Sequence, residues 1–213
     1  AEAALKRRLE QQELMSAMSQ TFISTVDTRQ LILNALEMAG KFMGVGKILV
    51  VRRNDEGNAL VSEYEWFNAE QDCPRPDKVI LPFHQGTIEY KVFVADKVPV
   101  LACDDISNAA GFAIAREHGL KSIIDIPVYM DGNFWGILSF GECLKPRAWT
   151  ESDIQLCTLI SSVISAAITR NATEMKLARM SSLSTARHSI SLTSTWKAAL
   201  NISTRERPTS PAI

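Results

Sequence analysis

Between Lys121 and Ile168 the sequence runs through a strand, a tight turn, a second strand and a capped helix without a gap, and this order restricts the fold more than any other stretch. Ser122 to Tyr129 is β-branched and apolar, Asp131-Gly132 supplies the positive-φ residues of a hairpin turn, and Asn133 to Phe140 returns as the antiparallel partner. Pro146 ends the second strand. Thr150 with Asp153 three residues later then forms a capping box that satisfies the free amides of a helix start. A chain built this way pairs two strands and lays a long apolar helix across them.

A length of 213 residues allows one sizeable core with helical arms or tails rather than two full domains. Apolar residues at 46% and charged residues at 22% are those of an ordinary globular chain, and a net charge of -1 leaves no electrostatic footprint for nucleic acid or an anionic membrane. No apolar run reaches the roughly 18 residues of a bilayer span, and Ala1 to Gln12 is charged rather than signal-like. The expectation is a soluble, cytoplasmic chain without membrane contact, or a fragment of a membrane-anchored protein.

The four cysteines, Cys73, Cys103, Cys143 and Cys157, show none of the short spacings of zinc or redox sites, so reduced thiols are expected. Cys157 falls on the apolar stripe of the last helix and reads as a small core residue; the other three stay open.

Ala1 to Thr25 reads as an amphipathic helix with Leu14, Met18 and Phe22 on one face and Leu5 and Leu9 on a rotated one. Asp27 with Gln30 caps a second helix, which Gly44 and Gly46 end. Lys47 to Arg53 and Ala59 to Phe67 form a strand pair around an Asn/Asp/Gly turn. In the second of these, Leu60, Ser62, Tyr64 and Trp66 alternate with Val61, Glu63 and Glu65. Beyond the Pro74/Pro76 loop, Lys78 to Phe83 is a short strand near an edge because of Pro82. Thr87 to Asp96 reads as a short helix, Val98 to Ala102 as a strand, and Asn108 to His118 as a compact helix stopped by Gly119. After the last helix a weak heptad seam runs through Asn171, Glu174 and Ala178, and the Ser/Thr-rich segment from Ser181 to Ile213 reads as a linker or tail.

This series resembles the GAF family of regulatory domains over roughly Gln20 to Ile168. The likeness is carried by Gly86, Val98-Pro99-Val100, Asp104-Asp105-Ile106, Gly119-Leu120-Lys121-Ser122, Ile126-Pro127-Val128, the hairpin glycines Gly132 and Gly136, and Thr150 to Asp153 opening a helix with Leu156 and Ile160. The resemblance implies an α+β fold: a mostly antiparallel six-stranded sheet, terminal helices packed on one face and a small-molecule pocket on the other. It divides the chain into a signalling helix (1–26), the domain (27–170), a helical extension (171–180) and a tail (181–213). It also implies a bacterial sensory module, a homodimer through the terminal helices, and an effector such as a histidine kinase or cyclase outside this chain.

Pocket candidates are Trp66, Phe83, Asp104, Asp105, Phe112, Arg116, His118 and Asp125. Asp125 is the sharpest, since a carboxylate within an apolar strand must face a pocket or solvent, or be paired. Arg116 can clamp an anion or simply be solvated, and Phe112 reads as core more than as a ligand shelf. Relatives that carry a bilin attach it to a cysteine followed by histidine, whereas Cys103 here precedes Asp104; His84 and His118 are the candidates for haem. The pattern of cyclic-nucleotide-binding relatives has no counterpart. Reduction of free methionine-(R)-sulfoxide, known in some small relatives, requires Cys103 with Cys73 as the resolving thiol. No catalytic triad, phosphate loop or metal cluster stands out. The expectation is therefore a non-enzymatic sensor of an unidentified small molecule, with no cofactor or metal assigned; the alternatives are a ligand-free dimerisation module and the reductase.

Overall fold

A computed structural model of the chain describes residues 2–24 and 27–170, together with 172, 173, 175, 176 and 180. The chain divides into two compact units, Ala1–Thr169 and Arg170–Ile213. In the second, the described residues are helical; Asn171, Glu174 and Ala178 of the expected seam, and the segment 181–213, lie outside the described residues.

The first unit holds helices α1 (Glu2–Ser24) and α2 (Thr28–Met43), strands β1 (Lys47–Arg53), β2 (Ala59–Phe67) and β3 (Ile80–Pro82), a π-helical turn at Tyr90–Ala95, strand β4 (Leu101–Cys103), helix α3 (Ala113–Glu117) and the hairpin of β5 (Ser122–Met130) and β6 (Asn133–Glu142). Helix α4 spans Glu151–Arg170. The strands form one six-stranded sheet in the order β3-β2-β1-β6-β5-β4, and every neighbouring pair is antiparallel.

Helices α1, α2 and α4 share one face. Leu14 and Met18 of α1, Ile32, Leu36 and Ala39 of α2, and Leu156, Cys157, Ile160 and Ile164 of α4 join Ile48, Val50, Ile124, Ile126, Leu138 and Phe140 of the sheet in one cluster. Each such Leu, Ile or Met contributes about 1.5–3 kcal/mol by leaving water. Leu5 and Leu9, on the rotated face of α1, stay 71% and 55% exposed. By length and mean composition α4 could cross a membrane, yet its apolar stripe is buried against the sheet.

The caps follow the sequence closely. The Thr150 and Asp153 amides donate to each other's side chains at 3.0 and 3.1 Å. Asp27 Oδ1 accepts from the amides of Arg29 and Gln30, but the Gln30 side chain donates to Asn34 rather than back to the cap.

Elsewhere the chain departs from its expected periods. Pro99 has no N–H to give a ladder, and the strand expected at Val98 to Ala102 begins only at Leu101. The helix expected from Asn108 is confined to Ala113–Glu117, because Gly111 turns the backbone at φ 88°. In β2 the register shifts opposite Val50/Val51, so that Val50 pairs with Tyr64 and Val51 with Ser62, leaving Glu63 as an extra residue. This bulge sends Leu60 to one face of the sheet and Tyr64 and Trp66 to the other, where strict alternation puts all three together.

The expectation of four reduced thiols is corrected as well. Cys73 and Cys143 form a disulfide, with Cα atoms 5.5 Å apart across 70 residues of sequence. β1 lies between β2 and β6, so the segments leaving those two strands meet around Gly46, the residue before β1. A Cβ on Gly46 would stand 2.6 Å from Cys73 Sγ, so only glycine leaves the space. Cys103 and Cys157 remain free, and Cys157 is buried in the core as its place on the stripe implies.

Candidate functional site

The face of the sheet away from the three helices carries a cavity of about 350 Å³. Its floor is Leu49 and Val51 of β1, Ile123 and Asp125 of β5, and Ile137 and Ser139 of β6. The segment from His84 to Glu89 and the segment from Gly111 to Leu120, which includes α3, cover it. The pleat explains the floor: in each central strand every second residue faces the helices, and the residues between them face the cavity.

Besides His84 and His118, the acidic Asp125 and Glu89 and the basic Lys47 line this mostly apolar space. Asp125 pairs with Ser139 in the hairpin register and is 6% exposed. Burial raises its pKa to about 7, with a hydrogen bond from Ser139 opposing the shift and the charge of Glu89 adding to it. Its Oδ1 has no hydrogen-bond partner among the described residues. Glu89 lines the cavity from the opposite side, and burial raises its pKa too. Lys47, 1% exposed at the head of β1, donates from Nζ to the His118 carbonyl oxygen at 2.9 Å. Burial lowers its pKa to about 8, against the attraction of Glu65, so it keeps its charge at neutral pH.

Of the residues singled out from sequence, Phe112, His118 and Asp125 line this cavity, as does His84. Trp66 lies on the opposite face, under Gly40 of α2, where a Cβ would come within 2.0 Å of its ring. Phe83 is buried beside the cavity in an aromatic group, 5.1 Å from Phe134 and 5.4 Å from Tyr90. Asp104 accepts a hydrogen bond from the Trp149 amide, and Asp105 accepts one from the Ser107 amide. Arg116 spends its guanidinium on the carbonyls of Ile106 and Ala109, both at 2.8 Å, clipping the covering loop together. Cys103 sits at the end of edge strand β4, outside the lining, with its thiol toward the Asp105 carbonyl.

Lys47, Glu89 and Ser139 were not among the sequence candidates. Period two in β1 sets Lys47 with Leu49 and Val51, a local signal, whereas plain counting back from the Asp131-Gly132 turn sets Leu138 opposite Asp125, and only the register shift after Val128 brings Ser139 there. Glu89 had no such signal. Among the described residues no group of His, Cys, Asp or Glu converges on a metal position.

Comparison with known proteins places this architecture. The chain is similar to the methanogenesis regulatory histidine kinase FilI of Methanothrix harundinacea (strain 6Ac), at 22% identity over 168 residues. That alignment covers 77% of this chain and 19% of the kinase, so the chain spans less than a fifth of that relative's length. Among solved structures it is similar to the phycocyanobilin-bound GAF domain from a cyanobacterial phytochrome, with a TM-score of 0.64 at 14% identity over 77% of this chain and 96% of that one. It is also similar to free methionine-R-sulfoxide reductase from Neisseria meningitidis, with a TM-score of 0.60 at 16% identity over 78% of this chain and 93% of the other. At such identities the likeness is one of fold. The GAF domain family model matches residues 27–168, from the cap of α2 through the sheet and the cavity cover to the end of α4, and by that match the chain belongs to the GAF domain family.

Proposed function

We propose that this chain is the sensory input of a signalling protein: it binds a small molecule in the cavity and passes the change through its terminal helices to an effector outside the chain, such as a histidine kinase. The observation that carries this reading is the division of the sheet, with a cavity holding an unpaired buried carboxyl oxygen on one face and α1, α2 and α4 on the other.

A physical link supports the relay. Arg147 donates to the Met43 carbonyl at the end of α2, to Glu142 at the end of β6 and to Asp153 in the first turn of α4, at 2.9, 3.1 and 3.1 Å. Arg7 of α1 reaches the same Asp153 at 3.5 Å. A ligand that favours one placement of these elements shifts their equilibrium by its differential affinity. The exposed Leu5 and Leu9 of α1 suit a homodimer contact along that helix.

We favour binding over catalysis because Cys103 stands outside the cavity lining and its expected resolving partner, Cys73, is bonded to Cys143. The absence of cysteine from the described lining likewise argues against a thioether-linked bilin.

The test is native mass spectrometry of the freshly purified full chain together with a thermal-shift screen of small molecules, repeated on Ala113→Trp, which plugs the cavity mouth from an exposed lining position. A molecule that co-purifies or raises the Tm in the wild type but not in Ala113→Trp is the expected result. A chain that neither carries nor responds to any molecule would leave a ligand-free dimerisation module.

A further inference from the structure

The cavity, taken as the ligand site proposed above, also constrains what its ligand is. Asp125 is buried on the cavity floor, and Oδ1 of its carboxyl meets no donor among the described residues, while Ser139 serves the same carboxyl. A buried acceptor without a donor costs on the order of 1–3 kcal/mol, so a donor supplied by a ligand recovers energy that the empty cavity lacks. Glu89 faces the same space from the covering segment, and its charge is felt at Asp125. Two carboxyls that share an apolar enclosure disfavour each other's ionisation, and a cation placed between them removes that conflict. Lys47 does not fill this role. Two strands and one row of the pleat separate it from Asp125, about 10 Å across and about 7 Å along the sheet, and its ammonium is engaged by the His118 carbonyl and attracted by Glu65. The surroundings are apolar, with Leu49, Val51, Ile123 and Ile137 below and Phe112 at the side.

We propose that the cavity takes a small organic ammonium: a protonated amine donates to Asp125 Oδ1 and pairs with Glu89, while an apolar body lies on the floor formed by β1 and β6. The bound cation favours the ionised form of both carboxyls, and any proton that either holds in the empty cavity leaves to solvent. A carboxylate of similar shape lacks the donor and brings a further negative charge to two acidic groups, and a neutral alcohol offers one weaker donor.

The test uses the full chain and three probes with the same phenyl and three-carbon body, 3-phenylpropan-1-amine, 3-phenylpropan-1-ol and 3-phenylpropanoate, titrated calorimetrically near neutral pH. The amine is expected to bind at least about tenfold tighter than the alcohol, and the carboxylate weakest. Asp125→Asn, which preserves shape, and Glu89→Gln, at a partly exposed position, should each weaken the amine by about tenfold or more and the uncharged alcohol by clearly less. Amine binding that survives both substitutions, or a carboxylate that binds as well as the amine, overturns the proposal. If no probe binds, the ammonium assignment falls. The sensory reading falls with it only when the library screen and native mass spectrometry also find nothing that Ala113→Trp blocks.

Discussion

The Asp104 carboxylate accepts a hydrogen bond from the Trp149 backbone N–H at 3.0 Å, joining residues 45 apart in sequence. Asp104 directly follows edge strand β4, and Trp149 directly precedes the Thr150 cap of α4, so this contact ties the far side of the sheet to the start of the closing helix. Removing the acceptor in Asp104→Ala leaves a half-buried amide without its partner, which costs about 1–3 kcal/mol. Hydrogen exchange in the first turn of α4 should quicken, while affinity for a cavity ligand stays unchanged because Asp104 is outside the lining. Equal exchange in the two proteins would show that the tie holds nothing in place.

Asp125 gives a pH dependence with a definite sign. In the unfolded chain it titrates near about 3.9. In the fold, burial raises it to about 7. The native state therefore holds this proton more tightly. The stability it contributes is fully present below the unfolded value, at about pH 4, and is lost as pH rises through the folded one. Asp125→Asn stays uncharged throughout, so the stability of the wild type relative to this variant should fall between about pH 4 and about pH 7 in urea unfolding of the ligand-free protein. A difference that does not change with pH would refute the raised pKa.

The disulfide makes a countable prediction. Thiol titration of the unfolded, unreduced chain should find two thiols, Cys103 and Cys157, and all four cysteines after reduction. Cutting a bond that spans 70 residues frees the unfolded chain, and loop-closure entropy puts the loss of stability at about 4 kcal/mol or less. Four thiols before any reductant would remove the bond from the account.

What could be read from the sequence was whatever the chain settles locally. The hairpin turn has Asp131 at φ 51° and Gly132 at φ 77°, as its residue types demand, and the Thr150/Asp153 box closes over a separation of three residues. The terminal helices and the antiparallel sheet followed from such segments and from the family resemblance. Non-local features were not legible in this way. The Cys73–Cys143 bond requires knowing that β1 lies between β2 and β6, and the face of Trp66 depends on a bulge at Glu63 that appears only when β2 is paired with β1. Asp125 was found because a carboxylate in an apolar strand conflicts with its surroundings. Lys47 escaped because lysine at a strand end reads as an ordinary solvated residue, yet here the segment around α3 covers it.

Gly40 shows how the helix face depends on the placement of Trp66. Gly40→Ala in the last turn of α2 should gain up to about 1 kcal/mol from helix propensity alone. The added Cβ, however, would lie 2.0 Å from Trp66 Cζ3 and 2.3 Å from Cε3, closer than non-bonded atoms approach. Either the indole or α2 must move, and overpacking of this kind costs about 1–3 kcal/mol, so the net effect should be destabilising. In a Trp66→Ala background the clash is gone, and the same substitution should become stabilising. This reversal of sign, measured by chemical unfolding of the four proteins in the cycle, isolates the contact from the propensity. Destabilisation of equal size in both backgrounds would mean that Gly40 is required by something other than the indole packed beneath α2.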